Sequence, residues 1–405
     1  MDRQLFPLVA PDVRREYGFS LAAAGLLSTV FTLGMAVAGL PTGYLLARVS
    51  RKGVLQTGIA LFSAGTVLTV ASRGFADMVT YRTITGVGEA MQLTVLLAIA
   101  ANYFARHRGA AVGAVNFSFA LGAIVGPVVG GVLLGAYGMW QVPMVVFGVL
   151  GFAAMLVIGF AVDASFTEPG GAAAIDAISD GGAATLGNRN TILLTAMSLL
   201  SGLVIYGYLG LYPTYLREGL GYAPGMAGSV MGLYGLGALM SIAGGWIGDR
   251  GSPRLVLSAP FVAAAILGYL LFNGSSSYAW QASLSFAWGV IVSGVLYVNL
   301  AGYHVKAVRR DLAGRASGVF VTSLYLSAAV AGYLMGWLAN RAGWGEAGAI
   351  QISLSSLAAA AFALALRPEQ MSGATRFKTD SEGTDGEGRR PVPAAPVAPS
   401  ARRRQ

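Results

Sequence analysis

The chain has 405 residues, of which 55% are hydrophobic and only 11% charged, against roughly 25% charged residues in a soluble domain. This composition excludes a water-soluble protein, and the lack of cysteine with only two histidines, His107 and His304, excludes a Cys/His metal cluster and a disulfide framework. The net charge of +9 does not indicate nucleic-acid binding, because the basic residues lie in short loops and in the C-terminal tail.

Hydrophobic windows of about 19 residues predict eleven complete membrane-spanning helices. Ahead of them lies only the stretch from Leu5 to Val13, which Pro7 and Pro11 break and which is shorter than the ~20 residues of a spanning helix. We therefore expect that Met1 is an internal methionine and that the first half of the first helix is missing; the alternative is a short interfacial segment. The predicted spans are 21–47, 54–72, 77–102, 110–137, 142–162, 191–216, 225–247, 254–273, 278–305, 314–339 and 346–366.

Two repeated motifs divide the chain into halves. GYLLARVSRKGVL, from Gly43, recurs as GWIGDRGSPRLVL from Gly245, and RGAAVG, from Arg108, recurs as GRASG from Gly314. Because the two pairs align at nearly the same offset, we expect two homologous bundles of six helices around a central site. The predicted units are an N-terminal bundle, a flexible cytoplasmic linker, a C-terminal bundle and a disordered cytoplasmic tail, in residues 1–162, 163–190, 191–366 and 367–405.

Basic residues favour one set of alternating loops. That set carries Arg48, Arg51, Lys52, Arg106, Arg108, Arg189, Arg250, Arg254, Lys306, Arg309, Arg310 and Arg315. The other set carries only Arg14, Arg15, Arg73, Arg217 and Arg341. Positive residues accumulate in cytoplasmic loops, so we expect a multi-pass protein of the inner (plasma) membrane with its C terminus in the cytoplasm.

Two motifs carry a resemblance to a known family that extends over essentially the whole chain. GYLLARVSRKGVL resembles the G-x-L-x-D-R-x-G-R-K-x-x-L signature of the major facilitator superfamily, and GAIVGPVVGGVL, in residues 122–133, resembles its G-x-x-x-G-P-x-x-G-G antiporter motif. The resemblance implies an all-α polytopic membrane protein with the major facilitator fold. The first motif has Ala47 where the family has an acidic residue, whereas the second copy keeps the acid as Asp249.

The same motifs provide the predicted gating residues. By resemblance, the two loops latch the halves together on the cytoplasmic side. Glycines spaced by four form a groove for close helix approach, and a proline among them permits a bend. A basic stop-transfer loop and ordinary small-residue packing are the alternatives. The gating set is Gly43, Arg48, Arg51, Gly122, Gly126, Pro127, Gly130, Gly131, Gly245, Asp249 and Arg250.

Charged residues inside the span 77–102 indicate a polar centre. YRTITGVGEAMQ places Arg82, Gly86 and Glu89 on one helix face, with Gln92 a turn further on. A lone charge in hydrocarbon is costly, so these side chains should face an aqueous cavity or pair with other charges. The segment resembles the corresponding helix of the organic-anion and spinster-like branches.

The first residues of the chain resemble the Asp-Arg pair in the first helix of those branches. We therefore predict that Asp2, Arg3, Arg82 and Glu89 form the polar centre of the N-terminal half. Glu89 or Asp2 would carry the proton, because a carboxylate in a partly dry cavity is protonated more easily. Arg82, Arg3 and Gln92 would bind the substrate. The alternative is an ion pair that only satisfies buried charge.

The C-terminal half has no acid at the aligned positions, which fall near Ala287 and Gly294. Its lining is therefore predicted to be aromatic and neutral, although such residues also pack or form an interfacial belt, as expected for Tyr212 and Tyr215. The predicted substrate contacts in this half are Tyr208, Trp288, Asn299, Thr322 and Tyr325.

Together these features predict a secondary active transporter that moves a small organic anion or amphipathic solute by alternating access with proton coupling, by symport or antiport. Its partners would be that solute, protons and membrane lipids; we expect no nucleic acid, no cofactor, no metal and a monomer. No enzyme motif supports catalysis. The alternatives are a drug or lysolipid exporter and, from another class, a membrane lipid-binding or receptor protein without active transport.

Overall fold

The computed structural model describes residues 2–46, 48–103, 108–163, 182–309 and 312–371, and within these ranges it is helical, with one isolated β-bridge between Ala183 and Val308. Three of the helices continue as wider π-helical turns, at Tyr215–Gly219, Gly289–Tyr297 and Gly348–Leu354. In chain order the helices are α1 Asp2–Tyr17, α2 Leu21–Thr29, α3 Phe31–Leu45, α4 Arg51–Val70, α5 Phe75–Tyr103, α6 Arg108–Tyr137, α7 Gln141–Ala161, α8 Arg189–Thr214, α9 Pro224–Ala238, α10 Ser241–Arg250, α11 Pro253–Asn273, α12 Tyr278–Trp288, α13 Val298–Lys306, α14 Ala313–Ala342, α15 Trp344–Ala347 and α16 Ser355–Leu364.

The predicted spans agree with the helices of the structure. Ten spans in the described residues are long and apolar enough to cross a membrane. The remaining predicted span is α5, which has 29 residues and a length of about 43 Å at 1.5 Å per residue. It carries Asp77, Arg82 and Glu89, which lower its hydropathy. The all-helical membrane fold is therefore confirmed.

The first helix is short but regular. It runs unbroken for 16 residues through Pro7 and Pro11, and its apolar side chains, such as Leu5, are buried rather than lying at a membrane surface. Pro11 has no N–H, so the Pro7 carbonyl four residues earlier loses its helical donor. The Thr214 hydroxyl of α8 donates to that carbonyl at 3.3 Å. A neighbouring helix thus supplies the hydrogen bond that the proline removes.

The two bundles meet closely at one end of the molecule, here called the closed end, which holds the loops at 18–20, 138–140, 219–223 and 274–277. A methyl group on Gly25 of α2 would overlap the carbonyl of Gly332 of α14. A methyl group on Gly228 of α9 would likewise overlap the carbonyl of Pro127 of α6. Small residues thus allow backbone contact between the bundles.

The glycine motif of α6 lies partly in this contact. Gly131 lies against Pro224 of α9, whereas Gly130 packs on Leu5 of α1. Gly122 and Gly126 are buried on the same helix. The structure therefore places the motif where α6 meets both α9 and α1.

Ion pairs between α1 and α8 also join the bundles at the closed end. Arg217 binds the Asp12 carboxylate through Nη1 and through Nη2, the latter at 3.2 Å. Its Nη1 also donates to the Leu8 carbonyl at 2.8 Å. Arg14 pairs with Glu218. We call the two pairs Asp12–Arg217 and Arg14–Glu218 the outer latch.

At the opposite end, three residues of the predicted cytoplasmic latch contact their own bundle. Arg48 stacks on Tyr44 and Arg250 on Trp246, with guanidinium-to-ring distances of 4.4 and 4.2 Å. Asp249 accepts a 2.9 Å bond from Lys306.

Three other residues of the latch prediction lie near them. Gly43 has open space around it, Gly245 lies near Val298, and Arg51 begins α4. Ala47 lies outside the described residues. In this conformation the bundles are joined through the closed end.

The predicted linker and tail lie mostly outside the described residues. Residues 182–188 are described, and there Ala183 exchanges backbone hydrogen bonds with Ala307 and Arg309 at 3.1 and 3.0 Å. Asn190 at the start of α8 bonds both backbone groups of Arg367 at 2.8 Å. The end of the linker and the start of the tail are therefore attached to the C-terminal bundle.

Candidate functional site

An ion pair of the N-terminal bundle lies where this bundle faces the C-terminal bundle. The Arg3 Nη2 of α1 is 2.6 Å from the Glu89 Oε1 of α5, and the two side chains are 23% and 11% exposed. The Arg3 Nη1 donates to the Tyr206 hydroxyl of α8 at 3.2 Å. A single guanidinium thus joins the predicted polar centre of the N-terminal bundle to an aromatic residue of the C-terminal bundle.

Aromatic and sulfur atoms surround this guanidinium. The Phe31 ring centroid lies 5.4 Å from the Arg3 guanidinium carbon, and the Met35 sulfur lies 3.2 Å from Nη2. On the other side, Tyr325 packs edge-on against Tyr206 with ring centroids 6.1 Å apart. The site is therefore a cation in an aromatic, low-dielectric setting, where electrostatic interactions are strong.

Two further tyrosines extend the aromatic surface of the C-terminal bundle. Tyr297 of the π-helical stretch lies beside Tyr325 and is half-buried. Tyr234 of α9 is hydrogen-bonded to Ser293 at 2.7 Å. Phenolic hydroxyls combine an apolar ring with a polar tip, which suits a solute that carries both characters.

Not every predicted ligand of the N-terminal half faces this centre. Arg82 is fully buried, with its Nε donating to the Leu27 carbonyl at 3.4 Å. The Gln92 amide donates to the Gly58 carbonyl of α4 at 3.3 Å, so it points to a neighbouring helix within its own bundle. Asp2 begins α1, but its side chain lies outside the described residues.

Most of the residues predicted to contact the substrate in the C-terminal half bond or stack with other residues of their own bundle. Tyr208 and Trp288 are fully buried and stacked, with ring centroids 5.0 Å apart, and the Tyr208 hydroxyl bonds Ser285 at 2.6 Å. Asn299 donates to the carbonyls of Gly244 and Val295 at 2.9 and 2.8 Å. The three side chains therefore pack inside the bundle, and their role as substrate contacts stays a prediction.

The other two predicted residues of that half lie on α14. Thr322 is exposed, whereas Tyr325 is buried beside Tyr206. Of the five, Tyr325 is therefore the one that the structure brings to the Arg3 centre.

The sequence interpretation did not include Tyr206, because it considered only the stripe of α8 that carries Tyr208 and Tyr212. Tyr206, Gly210, Thr214 and Arg217 follow one another at spacings of four, four and three residues, and they face the N-terminal bundle. Tyr208 lies about 200° away from Tyr206 around the helix and faces inward. The spaced small and polar residues were the signal that could have identified the face that meets the N-terminal bundle.

The chemistry that this arrangement offers is the binding of an anion by Arg3. Within the described ranges, no group of three metal-ligating side chains is present. The Arg3 Nε is buried and has no hydrogen-bond partner among the described residues. Since a guanidinium grips a carboxylate through two parallel N–H groups, Arg3 has an additional donor for an anion.

Comparisons with known proteins agree with this architecture. The family model described as Major Facilitator Superfamily matches residues 1–332. The chain is 24% identical over 353 residues to the gallate transporter of Pseudomonas putida, covering 79% of this chain and 75% of that protein. It is 30% identical over 159 residues to protein spinster of Drosophila melanogaster, covering 39% of this chain and only 26% of that protein.

A solved structure has a similar fold. It is a bacterial homolog to the human lysosomal transporter spinster, in an inward-facing and unoccupied conformation. The two chains agree with a TM-score of 0.69 at 17% identity, and the match covers 94% of each. At this identity the likeness concerns the fold alone.

Proposed function

Because the chain belongs to the major facilitator superfamily, we propose that it moves a small organic anion across the membrane by alternating access, coupled to protons. The observation that carries this proposal is the Arg3 guanidinium, which touches Glu89 of one bundle and Tyr206 of the other. A solute bound at this position contacts both bundles. Its binding can therefore change the relative stability of the inward-open and outward-open conformations, as alternating access requires.

Competition for Arg3 gives a physical basis for coupling. The Glu89 carboxylate binds the Arg3 guanidinium at 2.6 Å. Protonation removes the negative charge of Glu89 and weakens its hold on Arg3, which leaves the guanidinium available to a solute carboxylate. Arg3 then pairs either with the Glu89 carboxylate or with the solute carboxylate, so its charge is not left unpaired in the membrane interior.

The surroundings of Arg3 favour an anion that also has an apolar, aromatic part. The rings of Phe31, Tyr206 and Tyr325 provide stacking surfaces around the guanidinium. Gallate, the solute in the name of one relative, is an aromatic carboxylate. That name supports this class of solute for the present chain.

Replacing Arg3 with lysine should lower solute affinity by about tenfold or more, because a point charge replaces the planar fork that grips a carboxylate in two places. The measurement is uptake by proteoliposomes of a panel of aromatic and aliphatic carboxylates, with gallate included and the matching amides as uncharged controls.

The matched control for this test is Arg15→Lys, at a side chain that is 74% exposed. It should leave the affinity unchanged. Equal affinities of the parent and the Arg3→Lys variant for every transported solute would remove Arg3 from the binding site, and selective transport of the amides would overturn the anion class.

The loop charges support a plasma-membrane location in which the linker and the C-terminal tail are cytoplasmic and the closed end faces outward. We expect an impermeant maleimide to label Ser276→Cys, in an exposed loop of the closed end, in intact cells. It should label Thr185→Cys, an exposed linker position, only after the cells are opened. The parent provides an unlabelled background because it has no cysteine. Labelling of Thr185→Cys in intact cells would reverse the orientation.

A further inference from the structure

Arg82 carries a charge but is completely enclosed. Its guanidinium carbon lies 4.6 Å from the Phe6 ring centroid and 5.4 Å from that of Phe31. Its Nε donates to the Leu27 carbonyl in the last full turn of α2. A carboxylate bound at the interface of the bundles does not reach a guanidinium covered in this way. Apart from the long-range field of its charge, Arg82 can therefore act on such a solute only through the groups that surround it.

Phe31 is the group that connects Arg82 to the site. The guanidinium carbons of Arg82 and Arg3 both lie 5.4 Å from its ring centroid. Both distances are within the range of a cation–π interaction, which extends to about 6 Å. The Phe31 ring also packs against Tyr206 at 6.2 Å. A displacement of this ring therefore changes the environment of Arg3 and of its partner in the other bundle.

The backbone holds Phe31 in place from the side of α5. The helix that begins at Leu21 is interrupted at Val30, so Phe31 is the first residue of α3. Gly86, one turn after Arg82, approaches so closely that a methyl group there would overlap the Phe31 carbonyl. Arg82 and Gly86 thus fix the junction between α2 and α3 through a side chain and through the backbone.

We propose that Arg82 is a positioning residue that acts on solute binding through Phe31. It holds the Phe31 ring, and the ring holds the Arg3 guanidinium in the geometry that binds a carboxylate. This inference rests on the proposed function, since it takes Arg3 as the anion ligand. It differs from the sequence prediction, in which Arg82 itself binds the substrate.

Gallate binding to the purified full-length protein tests the proposal through a double-mutant cycle. Arg82→Lys keeps the charge but loses the planar group between the rings, and Phe31→Leu removes the ring; each should weaken gallate binding about fivefold. The double variant should bind no more weakly than the worse single variant, because both act along one path. Multiplied effects in the double variant would overturn the proposal, since independent contacts with the solute would add in free energy.

A second arm needs no solute, and so separates this inference from the proposed function. Thermal unfolding is measured for Arg3→Lys, Arg82→Lys and their combination, in the parent and in the Phe31→Leu background. The shifts of Arg3→Lys and Arg82→Lys should be non-additive when Phe31 is present and additive when it is absent. Additive shifts in both backgrounds would overturn the positioning role, whether or not the parent binds gallate.

Phe6→Leu is a milder variant, which loosens the other ring beside Arg82 without changing charge. It replaces Arg82→Lys in both arms if the latter does not fold. It should weaken gallate binding in the same direction, and its effect should disappear in the Phe31→Leu background. Failure of the parent to bind gallate, with the expected coupling in unfolding, would count against the proposed solute class and leave the positioning role supported.

Discussion

Replacing Glu89 with glutamine should remove most of the solute accumulation driven by a pH gradient while leaving solute exchange across the membrane intact. Glutamine has nearly the size of the protonated side chain, so packing against Arg3 is preserved. Two ligands are coupled only if each binds the two conformations with different affinity. A side chain that can no longer change its charge removes the proton from that difference. We expect gradient-driven accumulation to fall by at least about tenfold.

The measurement is uptake of a transported carboxylate into proteoliposomes, with and without an imposed pH gradient, beside counterflow at equal pH. Glu346→Gln is the matched control, because that carboxylate is exposed at the start of α15. The control should accumulate solute as the parent does. Accumulation by Glu89→Gln at the parent rate would remove Glu89 from the coupling step and transfer the role to Asp2, the other carboxylate predicted for this centre.

Reversing one charge of the outer latch should open the closed end. Asp12→Arg breaks the pair with Arg217 and places a third cation beside Arg217 and Arg15. Breaking a hydrogen-bonded charge pair costs ~2–5 kcal/mol, and this pair, whose side chains are 10% and 17% exposed, belongs at the lower end because it is partly hydrated. A cost of about 2 kcal/mol corresponds to about a 30-fold shift between the closed and open conformations.

Alkylation of an introduced cysteine reports that shift. Ser28 of α2 is buried near the contact with α14, so Ser28→Cys should react slowly in the parent and much faster with Asp12→Arg. Adding Arg217→Asp restores opposite charges and should restore slow labelling. Arg15→Ala is the control, because Arg15 is largely exposed and its 3.4 Å contact with Asp12 lies within α1 and does not join the bundles. It should leave the labelling slow. Equal labelling rates in the parent and in Asp12→Arg would show that the latch does not hold this end closed.

The architecture could be predicted from the sequence because the hydrocarbon core of a membrane restricts the length and composition of the helices that cross it. A spanning helix needs ~20 apolar residues, and repeated motifs identify two related halves. The family resemblance and the all-helical membrane fold are both confirmed. The cost of a charge within an apolar span identified Glu89, and the family resemblance identified Arg3, which the structure brings together with it.

Side-chain direction was harder to predict, because helices buried on all sides have no polar face to orient them. Tyr206 and Tyr208 are two residues apart, yet one contacts Arg3 and the other bonds inside its own bundle. Arg82 and Glu89 share a helix face, but Arg82 is covered by rings from α1 and α3. These placements depend on neighbouring helices and not on the spacing within one helix.

The bond from Thr214 to the Pro7 carbonyl has a consequence for water. That carbonyl has lost its own helical donor, so an opening that draws α8 away from α1 leaves it with no protein partner. An unpaired backbone group in hydrocarbon costs several kcal/mol, so water must take the place of the threonine hydroxyl. We therefore expect an opening of the closed end to include hydration of the Pro7 carbonyl.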